Sequence, residues 1–168
     1  MTLNIRKMVL CSLFASLIAL CSWICIPIPP VSFTMQTFAV LMSLSVLGGK
    51  WGSVSILLYL TMGLIGLPVF SGFRGGAAAL LDSTGGFLWG FLAGSLGYWA
   101  AEKLSRLPAM ILCQLFCYSC GCFWFSHWAG CGSDVALLSC VFPYLVPDGL
   151  KLWLAWHLSG QIRRQLKI

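Results

Sequence analysis

Charge is scarce in this sequence. Only 8% of its 168 residues are Asp, Glu, Lys or Arg, against roughly 25% in soluble domains, so a water-soluble fold would lack a surface to present. Four acidic residues in all are too few for an ATPase or hydrolase site of the chain's own. No P-loop, zincin helix or serine nucleophile elbow occurs. His127 and His157 stand far apart, and neither makes a metal-ligand spacing with a Cys or carboxylate. No metal, no cofactor and no enzyme activity are therefore expected. Polar linkers, low-complexity tails and internal repeats are missing too, and residues 1–168 read as a single transmembrane domain.

What the chain does have is apolar length. It is 60% hydrophobic with a mean hydropathy of +0.94, and its long apolar runs approach or exceed the roughly 18 residues of a spanning helix. Six spans are read: Met8–Ile26, Thr34–Leu47, Trp51–Leu67, Gly85–Ala101, Pro108–Ala129 and Leu137–Gly160. The class is all-α and polytopic. Arg6-Lys7 before the first run imitates a signal peptide, but that apolar stretch exceeds the roughly 7 to 15 residues of a signal core. The second and third spans are short and separated only by Gly48-Gly49-Lys50, which suits a tight helical hairpin or one long kinked segment.

The net charge of +6 does not point to nucleic acid, because the cations sit at span ends and form no patch. With the N-terminus cytoplasmic, six crossings put Arg6, Lys7, Lys50, Lys103, Arg106, Arg163, Arg164 and Lys167 on the cytoplasmic side. Arg74 is left outside and Lys151 within a span. Both termini are therefore expected inside, in a multi-pass protein of the cytoplasmic membrane surrounded by its lipids. The outer connections are Pro27–Phe33, Pro68–Thr84 and Gly130–Ala136. The middle one, 17 residues rich in Gly, is longer than most helix connections and marks a functional segment.

Asp148 and Lys151 are the most informative residues. Three apart at the outer start of the last helix, they share a face, and ionisable groups at membrane depth usually mark ligand sites or pathways. A structural ion pair or a snorkelling Lys is the plainer reading. Arg74, between Gly72 and Gly75-Gly76, suits a carboxylate, or is an ordinary solvated loop Arg. Thr84-Gly85-Gly86 opens a helix whose free N–H groups could receive a ligand, or merely caps and packs it. Gln36, Thr34 and Tyr59 are pocket-lining candidates or interhelical bonders. Ala15 and Ala19, extended by Ser12 and Ser16, form a small-residue stripe for close approach within the bundle or to a partner. Of nine cysteines, only Cys131 lies in a loop; the rest are read as small packing residues. Cys117 and Cys120 form a C-x-x-C, which as a membrane thiol oxidoreductase would need a reachable, acidified thiol.

Taken together, Pro30–Val40 (PVSFTMQTFAV), Gly48–Phe70 (GGKWGSVSILLYLTMGLIGLPVF), Gly75-Gly76, Thr84–Phe91 (TGGFLWGF) and Pro143–Lys151 (PYLVPDGLK) resemble BioY, the S component of biotin ECF-type transporters. The resemblance covers residues 6 to 165. It implies a six-helix S-component bundle that captures biotin at the outer face and delivers it inward. It also implies partnership with a transmembrane T component and two ATPase subunits, or a homo-oligomer acting alone. Asp148 and Lys151 match the family's D-x-x-K pair, while Gly72, Gly75, Gly76, Thr84, Gly85 and Gly86 match its glycine-rich loop and helix start. Ala15 and Ala19 match a partner-facing alanine motif.

On this resemblance Asp148 accepts the ureido N–H groups of biotin and Lys151 donates to its carbonyl. Phe33, Tyr59 and Gln36 help enclose the ring, and Arg74 attracts the carboxylate. The sequence departs from the family at Asp82-Ser83, where Gly-Pro is common, at Phe87, where an aromatic hydroxyl is common, and at Pro147. Arg74 itself stands where a small polar group also occurs. The other readings are an S component for a different small vitamin and the thiol oxidoreductase.

Overall fold

The computed structural model describes residues 5–28 and 31–166. Pro29 and Pro30 of the first outer loop, and the Lys167 counted among the basic residues, lie outside the described residues. Four stretches, Ile5–Trp23, Gln36–Leu64, Arg106–Ala129 and Ser133–Leu166, are long and apolar enough to cross a membrane. The second folds back on itself and a further 17-residue helix is added, so the helical crossings among the described residues number six.

Helix α1 (Ile5–Trp23) stops three residues short of the expected Ile26. Ile26 precedes Pro27, a position that disfavours helix. The chain instead forms strand β1 (Cys25–Ile26), paired antiparallel with β2 (Phe33–Thr34). Helix α2 (Gln36–Leu64) holds the predicted hairpin. Gly48, at φ 82° and ψ 166°, is its only non-helical residue, in a backbone region that is essentially glycine's alone and costs other residues about 1–3 kcal/mol. The two arms then run antiparallel: Tyr59 hydroxyl meets the Gln36 amide at 2.9 Å, and a Cβ on Gly52 would stand 2.7 Å from Leu44 Cα. Gly49 starts the second arm, and its N–H is capped by Glu102 at 2.5 Å.

The arms, 36–47 and 49–64, are roughly 18 and 24 Å long at 1.5 Å per residue, short of the roughly 30 Å of a hydrocarbon core. Non-helical backbone is thereby drawn to membrane depth, which is tolerated only where it is buried in protein or lines a cavity.

The third connection carries the short helix α3 (Ala77–Leu81), and α4 spans Gly85–Ala101. Helix α5 (Arg106–Ala129) makes its most extensive contact with α4. Gly86, Gly90 and Gly94 of α4 face Cys120, Cys117 and Cys113 of α5 in turn. A Cβ on Gly90 would stand 2.9 Å from Cys117 Cα, so the small stripe sets the interhelical distance.

The sixth span differs most from expectation. Instead of one helix from Leu137, a short α6 (Ser133–Cys140) occupies the expected outer loop. A 3-10 turn follows at Phe142–Tyr144, and α7 runs from Leu145 to Leu166. Pro143 begins the turn, and Pro147 fits the first turn of α7, where an N–H has no intrahelical partner. Asp148 still falls in that first turn, as expected.

Buried hydroxyls tie the bundle. Ser45 and Ser159 share a hydrogen bond at 2.7 Å, and Ser55 donates to Cys11 O at 3.0 Å. Such bonds are worth about 0.6 kcal/mol each within a membrane. The basic residues gather at one end: Arg6 bonds Leu166 O at 2.5 Å, Lys7 lies over Trp51, and Arg163 bonds Ser45 O. The loops between 24 and 35, 65 and 84, and 130 and 144 gather at the other.

Candidate ligand-binding site

Those loops and the adjoining helix ends surround a cavity with about 760 Å³ of empty space, its open mouth included. Its lining comes from residues 31–34 and the start of α2, the loop before α3, the outer end of α4, the middle of α5 and the first turns of α7.

Asp148 and Lys151 form its most polar wall. Their side chains are only 9% and 6% exposed, and Lys151 Nζ reaches Asp148 Oδ1 at 2.7 Å. The other carboxylate oxygen accepts from Tyr118 hydroxyl at 2.8 Å and from Gln114 Nε2 at 3.2 Å. Lys151 also donates to the Thr34 carbonyl at 2.6 Å and lies 3.8 Å from the Phe33 ring centroid. Burying two charges is costly unless each is hydrogen-bonded, and here both are. The network also ties α7 to β2 and α5.

Arg74 stands at the mouth. Phe70 N–H donates to Arg74 O at 2.9 Å across a tight turn in which Gly72 (φ 71°) and Phe73 (φ 57°) are both left-handed, and this turn presents the guanidinium to the cavity. The guanidinium pairs with the carboxylate of Asp82 and donates to Thr84 Oγ1 at 3.4 Å. The Ser83 backbone N–H, 2.7 Å from Asp82 Oδ1, is the chief cause holding the Asp82 carboxyl below its usual value. Arg74 adds to that effect and partial burial opposes it. Asp82, a departure from the family pattern, is thus the internal partner of Arg74.

Of the residues singled out in the sequence, Phe33, Thr34, Gln36, Arg74, Thr84, Asp148 and Lys151 line the cavity. Gly72 lines a shallower depression beside its mouth. Tyr59 does not touch the cavity. It is fully buried, bonds Val69 O at 3.1 Å, and steadies Gln36 from behind. Gly75, Gly76, Gly85 and Gly86 also stand outside the lining. Gly76 N–H donates to Gly63 O at 2.7 Å, while Gly75, Gly85 and Gly86 leave no room for a Cβ against Leu67, Leu80 and Trp124. These glycines shape the wall without presenting backbone to a ligand.

The alanine stripe is corrected as well. Ala15 and Ala19 are 0% and 5% exposed, inside the core, while Ser12 and Ser16 face outward. The alanines therefore serve the bundle and not an open face. All nine cysteines are free, and Cys117 is a buried wall residue.

Gln114 and Tyr118 were not foreseen. Four residues apart on α5, they share a face, and a Gln and a Tyr in mid-span are the kind of uncharged polar groups that bond across helices.

A six-helix membrane bundle with a recessed cavity, walled by a compensated ion pair and aromatic rings, defines a membrane protein that binds a small, partly polar molecule. Over residues 1–168 the sequence matches the BioY family, and the chain belongs to that family. It is 43% identical over 102 residues to the biotin transporter BioY of Thermotoga maritima, covering 60% of each chain. With the probable biotin transporter BioY of Pyrococcus horikoshii it shares 35% identity over 151 residues, 87% of this chain and 89% of that one. The crystal structure of the S-component for biotin from an ECF-type ABC transporter superposes with a TM-score of 0.89 at 26% identity, over 98% of this chain and 95% of that one.

Proposed function

We propose that this chain is a biotin-capturing S component, which takes the vitamin into the cavity from one side of the membrane and delivers it to the other. The observation that carries the reading is the buried Asp148–Lys151 pair, held by Gln114, Tyr118 and Thr34 in the wall of a recessed cavity. Biotin has a ureido ring with two N–H donors and a carbonyl acceptor, an apolar thioether ring and a carboxylate tail. Asp148 accepts from the ureido N–H groups and Lys151 donates to the ureido carbonyl. Phe33, Phe87 and Phe91 enclose the apolar ring, Gln36 adds a polar contact, and Arg74 and Thr84 meet the tail at the mouth.

The cavity opens to the outside and both termini are cytoplasmic, a reading supported by the basic residues gathered at the opposite end. The relative of known structure comes from an ECF-type ABC transporter, so a T component and two ATPase subunits are the partners proposed. A partner packing on α1 meets Ser12, Leu13, Ser16 and Leu20, which face outward.

Equilibrium binding of labelled biotin to the purified protein tests the reading. Losing one member of a buried, hydrogen-bonded charge pair costs about 2–5 kcal/mol. Asp148→Ala and Lys151→Ala are each expected to weaken binding by tenfold or more, about 1.4 kcal/mol being one decade. Unchanged affinity in both variants, with the protein folded, would remove the pair from the site.

A further inference from the structure

The two ends of the cavity are each electrically balanced. At the deep end Lys151 faces Asp148. Among the described residues lining the cavity, Arg74 at the mouth is the one other Lys or Arg, and each of its three guanidinium nitrogens already donates to a protein oxygen. Nε donates to Ser71 O at 3.2 Å, one terminal nitrogen pairs with Asp82, and the other reaches Thr84 Oγ1 at 3.4 Å.

Asp82 does not line the cavity; it stands beyond Arg74 and is anchored there. Ser83 N–H donates to its carboxylate and the Trp124 indole N–H to its backbone carbonyl at 2.9 Å. A carboxylate of the protein thus already holds the guanidinium that an anionic tail would seek.

We infer that Asp82 is a specificity-determining residue: it takes the place of a ligand carboxylate on Arg74, so that uncharged tails, amides and esters, are accepted about as well as the free acid. The inference rests on the biotin reading and concerns only the tail. An anionic tail meets a cation whose charge is compensated, and must share Arg74 with Asp82. An amide or ester offers Arg74 a carbonyl acceptor and brings no negative charge to compete with Asp82. The Arg74 and Asp82 side chains are 44% and 34% exposed, so solvent and salt screen the repulsion of an acid tail. The discrimination removed is therefore several-fold and not of many decades.

The test is displacement of labelled biotin from the full chain by unlabelled biotin, biotin amide and biotin methyl ester. The three are expected to compete within about fivefold of one another, with ratios little changed by added salt. Asp82→Asn removes the charge that compensates the guanidinium, while keeping an acceptor for it, and should shift the acid-to-amide ratio by about fivefold or more toward the acid. Adding Arg74→Gln to that variant should return the ratio to the original value. The inference is overturned if the unaltered protein prefers the acid by more than about fivefold, or if Asp82→Asn leaves the ratio where it was. A protein that binds labelled biotin and prefers the acid sinks this inference alone, whereas one that binds no biotin sinks the functional reading as well.

Discussion

Asp148 has three protein donors, and each makes a separable contribution to the site. Tyr118→Phe removes the 2.8 Å donor and Gln114→Leu the 3.2 Å one. Hydrogen bonds to charged groups are worth about 1.5–3 kcal/mol, so Tyr118→Phe should weaken biotin binding by about ten- to a hundredfold, read by equilibrium dialysis, and Gln114→Leu by less. Equal affinity for both variants and the parent would show that Asp148 needs only Lys151. At the mouth, the sign of the pH effect follows from Asp82. Its carboxyl is held below its usual value, chiefly by Ser83 N–H. The Arg74–Asp82 bond is thus complete above the ordinary Asp value of about 3.9 and is lost only as pH falls through the lower folded value. The ratio of acid to amide binding should accordingly stay flat from about pH 5 to 8, and a step within that window would contradict it. The charged pair of the last helix was legible in the sequence because ionisable groups in a span are so few. Gln114 and Tyr118 were not, since an uncharged polar group in a span announces a bond but not its partner.

At the scale of elements, glycine sets the architecture twice. Gly48 turns α2 back on itself at φ 82°, and Gly48→Ala is expected to lower stability by about 1–3 kcal/mol, measured by thermal unfolding in detergent. Gly90 is the harder site: Cys117 Cα would lie 2.9 Å from its Cβ, with backbone atoms that cannot move aside cheaply. Gly90→Leu should therefore separate α4 from α5, collapse the wall that carries Gln114 and Phe87, and abolish biotin binding along with most of the folded yield. Full yield and full binding in that variant would mean that α4 and α5 pack in another register. The same physics bears on the other glycines. Gly75, Gly76, Gly85 and Gly86 were expected to bring backbone to a ligand, yet glycine answers equally to close packing, and only the neighbours decide. Ala15 and Ala19 are the parallel case on α1: small residues permit close approach, and the approaching surface is the chain's own core.

For the whole molecule, the gathering of Arg6, Lys7 and Arg163 at the end away from the cavity makes orientation testable. A C-terminal fluorescent reporter that matures only in the cytoplasm should light up, and a phosphatase fusion at the same place, active only outside, should stay silent. The reverse pattern would turn the cavity inward and overturn capture from outside.

By itself the sequence determined the membrane as solvent, the six crossings, a break at Gly48-Gly49 and the charged pair at the head of the last helix. Each follows from local composition or from the cost of charge in hydrocarbon, which act on a segment wherever its neighbours lie. Tertiary structure alone decided which polar groups converge on Asp148, that Asp82 closes on Arg74, and whether a small residue faces a ligand, a partner or the adjacent helix. Those outcomes depend on the rotation and register of helices about one another, set by side-chain packing between segments distant in the chain.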